Sequence, residues 1–290
     1  MAKPKRRLTT FGKVLITMIV ILFLVLCVLI SQLVIQLTKP QEENQAEQAK
    51  VVQEEVEEPK KEESKHSARE EAYAQAHPEL SEEEVIKRVA MNLDQEPYSH
   101  LEEVQDLDSD LQLVNKYYAL PAGYEPADLV PVSSSGENGT VMMRQNAAAA
   151  FEELVQASAQ QGFILNACSA YRSYAYQEGL YNNGVANYGQ KYADAYWTRP
   201  GSSEHQTGLS VDVRMDNDFS DLDAVRNHPQ YDWLLEHLAD YGFILRYPDD
   251  KQEYTLIAPE SWHLRYVGQE AAREIADHNW CLEEYLYYQN

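Results

Sequence analysis

Residues 14 to 37, VLITMIVILFLVLCVLISQLVIQL, run without a single charge, whereas the chain beyond them mixes apolar and polar positions at short periods. As a helix this run spans roughly 36 Å, enough to cross a bilayer with some tilt. A cleaved signal peptide would have a shorter apolar core followed by a small-residue cleavage site. Here SQLVIQLTKP offers no A-x-A pattern, and LVLC ahead of Cys27 lacks the small residue of a lipoprotein signal. The run therefore reads as an uncleaved anchor. Five Lys and Arg precede it and acidic sequence follows, so the positive-inside rule predicts residues 1–13 as a cytoplasmic tail and the rest outside.

Past the anchor the apolar pattern vanishes. KPQEENQAEQAKVVQEEVEEPKKEESKH has few large apolar side chains and many like charges. It cannot bury enough surface to offset ordering its backbone, so residues 38–78 are expected to form an acidic disordered linker, with a Glu-rich solvated helix as the alternative for part of it. Periodicity returns in HPELSEEEVIKRVAMNLD. Ser81 and Glu84 make a capping-box pattern, and Val85, Ile86, Val89 and Leu93 recur at helical spacing, predicting a helical lead-in over 79–106.

From 107 to 290 helical and strand patterns alternate irregularly. DLQLVNKYYALPAGYEPADLVPV breaks short apolar runs with Pro and Gly, predicting extended segments and turns. RQNAAAAFEELVQASAQQG predicts a helix stopped by Gly162. FILNACSAYRS reads as a buried strand, and the tyrosine-rich stretch 171–197 as helical. HPQYDWLLEHLADYG predicts a helix ending at Gly242, FILRYP a strand, and QEAAREIADHNWCLEEYLYY one closing helix. The expected class is α+β, a small and mostly antiparallel sheet flanked by helices.

Charge removes one class of function. The net charge is −23 and the polar part holds no basic stripe, so a nucleic-acid partner is excluded. Cysteine is sparse: with Cys27 in the apolar run, Cys168 and Cys281 remain, either as one disulfide or as two buried thiols.

The candidate chemistry lies in three stretches. SSEHQTGLSVDVR (202–214) sets His205 and Asp212 seven positions apart, with Gly208 available for a turn between them. Alone this pair is a weak metal signal. APESWHLRYVG (258–268) adds His263, with Glu260 three positions before it and Trp262 between. Two His and one Asp suit a catalytic zinc with an open position, and a Glu nearby suits proton transfer to and from a reacting water. In CSAYRSYAYQEGLY, Arg172 follows the buried strand; it could pair with a carboxylate of the fold, or bind a substrate carboxylate or stabilise an oxyanion.

These stretches resemble the VanY-like D-alanyl-D-alanine carboxypeptidases, zinc peptidases of bacterial cell-wall metabolism. SSEHQTGLSVDV matches the S-x-H-x-x-G-x-x-x-D motif and ESWHLRYVG the E-x-W-H motif. SAYRSYAYQ, GFILRYP and LVNKYYALPAGYEPADLV are similar to other family segments, so the likeness covers roughly residues 107 to 290. The resemblance implies His205, Asp212 and His263 as zinc ligands, Glu260 as general base and acid, and Arg172 as a contact near the scissile bond or terminal carboxylate. Gln177, Ser203 and Trp262 fall where relatives meet the peptide. It further implies a D,D-carboxypeptidase acting on peptidoglycan stem peptides, and the predicted anchor independently places it outside the membrane. Where relatives often read T-G-x-x-Y-E-P-W-H this chain has TLIAPESWH. Leu256, Pro259 and Ser261 depart from the pattern, so a pocket of altered shape beside Glu260 is expected.

Three rivals share the same residues. An L,D-carboxypeptidase acting on tetrapeptide stems and an endopeptidase cutting inside the stem would use the same machinery. A non-catalytic zinc-containing cell-wall module would not need Glu260. The tyrosines of 171–197 read first as half-buried core packing and second as a carbohydrate platform.

Overall fold

The order of the chain begins before position 78. In the computed structural model, which describes residues 66–133, 140–216, 218 and 221–289, helix α1 (Ala68–Ala76) lies inside the stretch expected to be linker. A reciprocal capping box holds its start: Ser67 Oγ accepts from the Glu70 amide, and the Ser67 amide donates to Glu70 Oε2 at 2.7 Å. Arg69 ties the helix to Asp94 (Nε to Oδ2, 2.8 Å). α1 buries none of its residues, so no apolar stripe marks it in the sequence; its cap and the bonds of Arg69 to Asp94, Asn92 and the Val89 carbonyl hold it instead. The anchor over 14–37, the cytoplasmic tail and the rest of the linker lie outside the described residues. Among the described residues no helix is long and apolar enough to cross a membrane.

α2 (Glu82–Ala90) covers only part of the lead-in expected to be helical over 79–106, with Ser81 Oγ capping the Glu84 amide and Val85 and Val89 buried, while the Glu84 side chain does not close the expected capping box. The Glu84 carboxylate turns to Arg88 and the Tyr254 hydroxyl, and Lys87 reaches Glu284 at 3.3 Å, docking this lead-in on the C-terminal part of the chain. The Pro- and Gly-broken stretch that follows gives two small pairings. β1 (Glu102–Glu103) runs parallel to β2 (Tyr118–Ala119), and β3 (Leu129–Pro131) antiparallel to β4 (Met142–Arg144). α3 (Gln145–Gln160) buries Ala147, Phe151, Leu154 and Ser158 along one face, and Gly162 turns the chain at φ 89°.

Four strands make the central sheet: β5 (Leu165–Ser169), β6 (Ser210–Met215), β7 (Phe243–Tyr247) and β8 (Glu260–Tyr266), in the order β5-β6-β8-β7 with every pairing antiparallel. Helices α4 (Tyr174–Tyr188) and α5 (Gln190–Tyr196) fill the tyrosine-rich connection, split where Gly189 takes φ 83°. α6 (Tyr231–His237) runs through a 3-10 turn into Gly242 at φ 76°, and α7 (Gln252–Thr255) is a single turn. The closing segment is two helices, α8 (Gln269–His278) and α9 (Leu282–Gln289), rather than the one expected. Asn279 sits at φ 52° between them, a left-handed conformation that Asn tolerates and that ends α8.

The period of two divides this sheet. Leu165, Ala167, Val211, Val213, Phe243 and Leu264 join α3 in the main apolar core, each burial stabilising by roughly 1–3 kcal/mol. The intervening positions Ser210, Asp212, His263, Arg265 and Arg246 are buried too, but polar. The second face also meets α8 and α9 through Ile244, and its buried polar part is the frame on which the candidate residues meet.

Candidate metal centre and active site

Asp212 and His263 are directly opposite each other on the neighbouring strands β6 and β8. His205 comes to them from a 3-10 turn, Glu204–Thr207, that ends at Gly208 with φ 70°. A side chain at Gly208 would meet Leu129 Cδ2 at 2.9 Å and Arg144 Cγ at 3.1 Å, so only glycine lets the chain double back into β6 here. The seven-residue spacing thus becomes a turn followed by a strand, with both side chains on one side.

The resulting geometry suits a metal. His205 Nε2 and His263 Nδ1 each lie 3.3 Å from Asp212 Oδ1, and one ligand atom from each of the three falls within 4.8 Å of the others. A tetrahedron with metal–ligand distances of about 2.0–2.1 Å has edges of roughly 3.3–3.4 Å, and His/Asp/His is a donor set zinc accepts. Asp212 Oδ1 is buried and makes no hydrogen bond, an arrangement that leaves an acceptor directed at the centre. His205 Nδ1 donates to the Ala170 carbonyl at 2.7 Å, which fixes the ring with its Nε2 lone pair facing inward. Arg172 donates to the other Asp212 oxygen at 2.6 Å and to Ser169 Oγ at 2.9 Å. It therefore makes the pairing with a carboxylate of the fold that its sequence context left open, and it does so beside the centre.

Burial and charge set the protonation of this cluster. Burial pushes His205 down to about 4, aided by the Arg172 guanidinium. Burial alone would raise Asp212, yet His205 and Arg172 hold it well below the usual carboxylate range. Burial would lower His263, but the Asp212, Glu204 and Glu260 carboxylates around it outweigh this and favour its protonated form. A metal cation held here would take the place of that proton, since a ligating imidazole must be neutral.

Glu260 starts β8, half-buried, with Oε2 at 3.3 Å from His263 Nδ1. It lines a cleft together with Arg172, Gln177, Ser203 and Trp262, so the structure brings every sequence-predicted site residue to one place. Gln177 is buried, donates to the Thr198 carbonyl at 2.8 Å, and keeps Oε1 without a hydrogen-bond partner.

Sequence reasoning overlooked Glu204, which is fully buried directly before His205. Its Oε1 accepts from Arg246 and from Arg265, both at 2.8 Å, while Oε2 lies 3.7 Å from His263 Nε2. Arg246 is held in turn by Glu283 through a two-pronged pair at 2.7 and 2.9 Å. The available signal was two arginines inside strands β7 and β8, which demand buried anions. Tyr247, packed 5.0 Å from the His263 ring, was also unmarked.

Comparison with known proteins fits this arrangement. The family model described as "VanY: D-alanyl-D-alanine carboxypeptidase" matches residues 140–269. A bifunctional D-Ala-D-Ala dipeptidase and D-Ala-D-Ala carboxypeptidase of Enterococcus gallinarum, VanXYC, is 36% identical over 61% of this chain and 94% of its own. Among solved structures, the LdcB LD-carboxypeptidase is 41% identical with a TM-score of 0.61, covering 64% of this chain and 89% of that one. The vancomycin-resistance D,D-pentapeptidase VanY, solved with Zn(II), is 35% identical with a TM-score of 0.53, covering 61% and 98%. On the motifs, the sheet that carries them and these matches, the chain belongs to the VanY D-alanyl-D-alanine carboxypeptidase family.

Proposed function

We propose that this protein is a zinc D,D-carboxypeptidase that removes the terminal D-Ala from peptidoglycan stem peptides outside the membrane, on a tether anchored by residues 14–37. The observation that carries the reading is that His205 Nε2 and His263 Nδ1 each lie 3.3 Å from the unbonded Asp212 Oδ1, with the Glu260 carboxylate 3.3 Å from His263 Nδ1. The apolar run behind a basic N-terminus supports the location.

His205, Asp212 and His263 would hold the ion. When bound, zinc supplies a Lewis acid that brings the pKa of a bound water to about 7 and polarises a carbonyl. Glu260 accepts the proton of the attacking water as its oxygen bonds to the carbonyl carbon before the terminal D-Ala. The same carboxyl group then gives that proton to the departing amine as the C–N bond breaks. Arg172 has five N–H donors, of which Ser169 and Asp212 accept two. As Arg172 lines the cleft, a remaining donor would serve the developing oxyanion or the terminal carboxylate of the substrate. Gln177 Oε1 and Ser203 are buried polar groups at the cleft wall that would meet the peptide backbone, with the Trp262 ring beside them.

A second reading, L,D-carboxypeptidase action on tetrapeptide stems, is supported by the likeness to LdcB. Incubating the full-length protein with penta- and tetrapeptide stems, with and without a chelator, separates them. Loss of one D-Ala from the pentapeptide, abolished by chelator, is expected. Glu260→Gln should slow it by about 10²–10⁴-fold while zinc still binds. Cleavage of the tetrapeptide alone moves the specificity to L,D. No cleavage of either by the zinc-loaded protein sinks the enzyme reading in favour of a binding module.

A further inference from the structure

Helices α4 and α5 hold an unusual concentration of exposed rings. Tyr188, Tyr192 and Tyr196 are 63, 45 and 55% exposed, so the expectation of half-buried core packing fails for these three. They are not scattered. Tyr188 and Tyr192 have ring centroids 5.1 Å apart, Tyr192 and Tyr196 stack at 4.6 Å, and Tyr188 stacks on Trp197 at 6.1 Å. Trp197 can lie flat because Gly184 is beneath it; a Cβ there would sit 2.8 Å from the ring. The turn behind the rings is fixed by Asp194, which takes both prongs of Arg199 at 2.9 Å and the Tyr181 hydroxyl at 2.7 Å. The fold thus spends a glycine and a buttressed turn on holding aromatic faces toward solvent.

We infer that this aromatic face, continuous with the catalytic cleft, binds the N-acetylated glycan strand of the substrate. The inference rests on the stem-peptide reading above. Continuity comes from Tyr196 and Trp197, which belong both to the ring cluster and to the cleft wall beside Arg172 and Glu260. Chemistry selects the occupant. Residues 174–197 hold only Glu178, Lys191 and Asp194 as charged groups, while Asn182, Asn183, Asn187 and Gln190 are exposed on the same two helices as the rings. Flat apolar faces edged by amides and phenols match a neutral, N-acetylated sugar, whose ring has an apolar C–H face and hydroxyl and amide edges. An anionic lipid surface would call for several lysines and arginines, whereas residues 174–197 hold one cation, Lys191, against two acids. Reach agrees as well: a five-residue stem spans at most about 18 Å, so the sugar bearing it must lie near the mouth of the cleft whenever its terminus is inside.

The test uses full-length wild type, Tyr192→Ala, Tyr188→Ala and Tyr192→Phe. Each is titrated by calorimetry with a peptide-free glycan of alternating N-acetylglucosamine and N-acetylmuramic acid. Each is also assayed on a free stem pentapeptide and on the same pentapeptide joined to its disaccharide. Glycan should bind wild type and bind the alanine variants about tenfold more weakly, as loss of an aromatic contact implies. Tyr192→Phe, which keeps the ring, should stay near wild type. The wild-type preference in kcat/KM for the disaccharide-bearing substrate should shrink by the same factor. Glycan binding that is absent, or equal in all four proteins, overturns the inference, as does equal loss on both substrates. Variant-sensitive binding to phosphatidylglycerol vesicles or self-association in sedimentation, with no glycan effect, overturns it in favour of a membrane or a second copy. A failure to cut any pentapeptide strikes the carboxypeptidase reading instead, and the glycan titration still decides the aromatic face.

Discussion

At the residue scale, the centre depends on groups that never touch substrate. Glu204 is the clearest. It stands between His263 and two buried arginines, so its carboxylate faces an imidazole nitrogen at 3.7 Å and balances Arg246 and Arg265. Burial alone would raise its pKa, but the two guanidinium groups hold it well below the usual carboxylate range and keep it anionic. An anionic partner behind a ligating histidine raises its basicity and fixes its tautomer. Glu204→Gln should therefore weaken zinc binding by about 10–100-fold, read by competition with a chromophoric chelator on folded protein. A purely structural role would lower the unfolding temperature and leave that affinity unchanged. The buried thiols are inert by the same logic. Burial pushes Cys168 up to about 12 and raises Cys281 further, and both are free rather than paired with each other.

At the scale of elements, the site is the junction of a turn with two antiparallel strands. Gly208 is where that junction is most constrained: φ of 70° combines with contacts at 2.9 and 3.1 Å that a methyl group would have to displace. Gly208→Ala should cost about 1–2 kcal/mol from the left-handed backbone alone, and more from the overlap. Denaturant unfolding measures this, and a cost near zero would mean the turn can open freely. Such a turn was legible in the sequence, because a motif of His, Gly and Asp carries its own geometry. Strands β6 and β8 were not assigned from the sequence, although V-D-V and W-H-L set polar residues on one face and apolar ones on the other. The second layer was not legible. Glu204 meets Arg246 and Arg265 from 42 and 61 residues away, and no local period encodes such pairings. The breaks at Gly189 and Asn279 were missed because apolar spacing continues across them, although each residue tolerates positive φ. α1 escaped for the opposite reason, having caps and no stripe. Leu256, where relatives often carry Gly, ends α7 at φ 58°. The departure from the family pattern therefore leaves a glycine-like backbone occupied by a leucine.

At the scale of the whole molecule, the lead-in is part of the same folded unit as the sheet. α2 meets α7 and α9 through a cluster of charges in which Glu84 bonds Lys87, Arg88 and the Tyr254 hydroxyl. Lys87 and Lys251 share Glu284, and Arg88 reaches Glu253. Burial alone would raise the Glu84 pKa, but its bonds to Lys87, Arg88 and Tyr254 outweigh this and hold it below the ordinary value. A carboxylate whose folded pKa lies below its unfolded value of about 4.3 adds stability that is complete above that pH. The contribution is lost as pH falls through the folded pKa, because the unfolded chain then takes up the proton more readily. Replacing Glu84 by Gln removes this titration and leaves a neutral hydrogen-bonding group in its place. The variant should be less stable than wild type at pH 7, and the gap between their unfolding midpoints should close as the pH is lowered below about 4. A gap that stays constant from pH 7 to pH 3 would show that Glu84 acts through packing rather than charge. The docking of the lead-in on α9 would then rest on Val85 and Val89, and its ion pairs would be incidental.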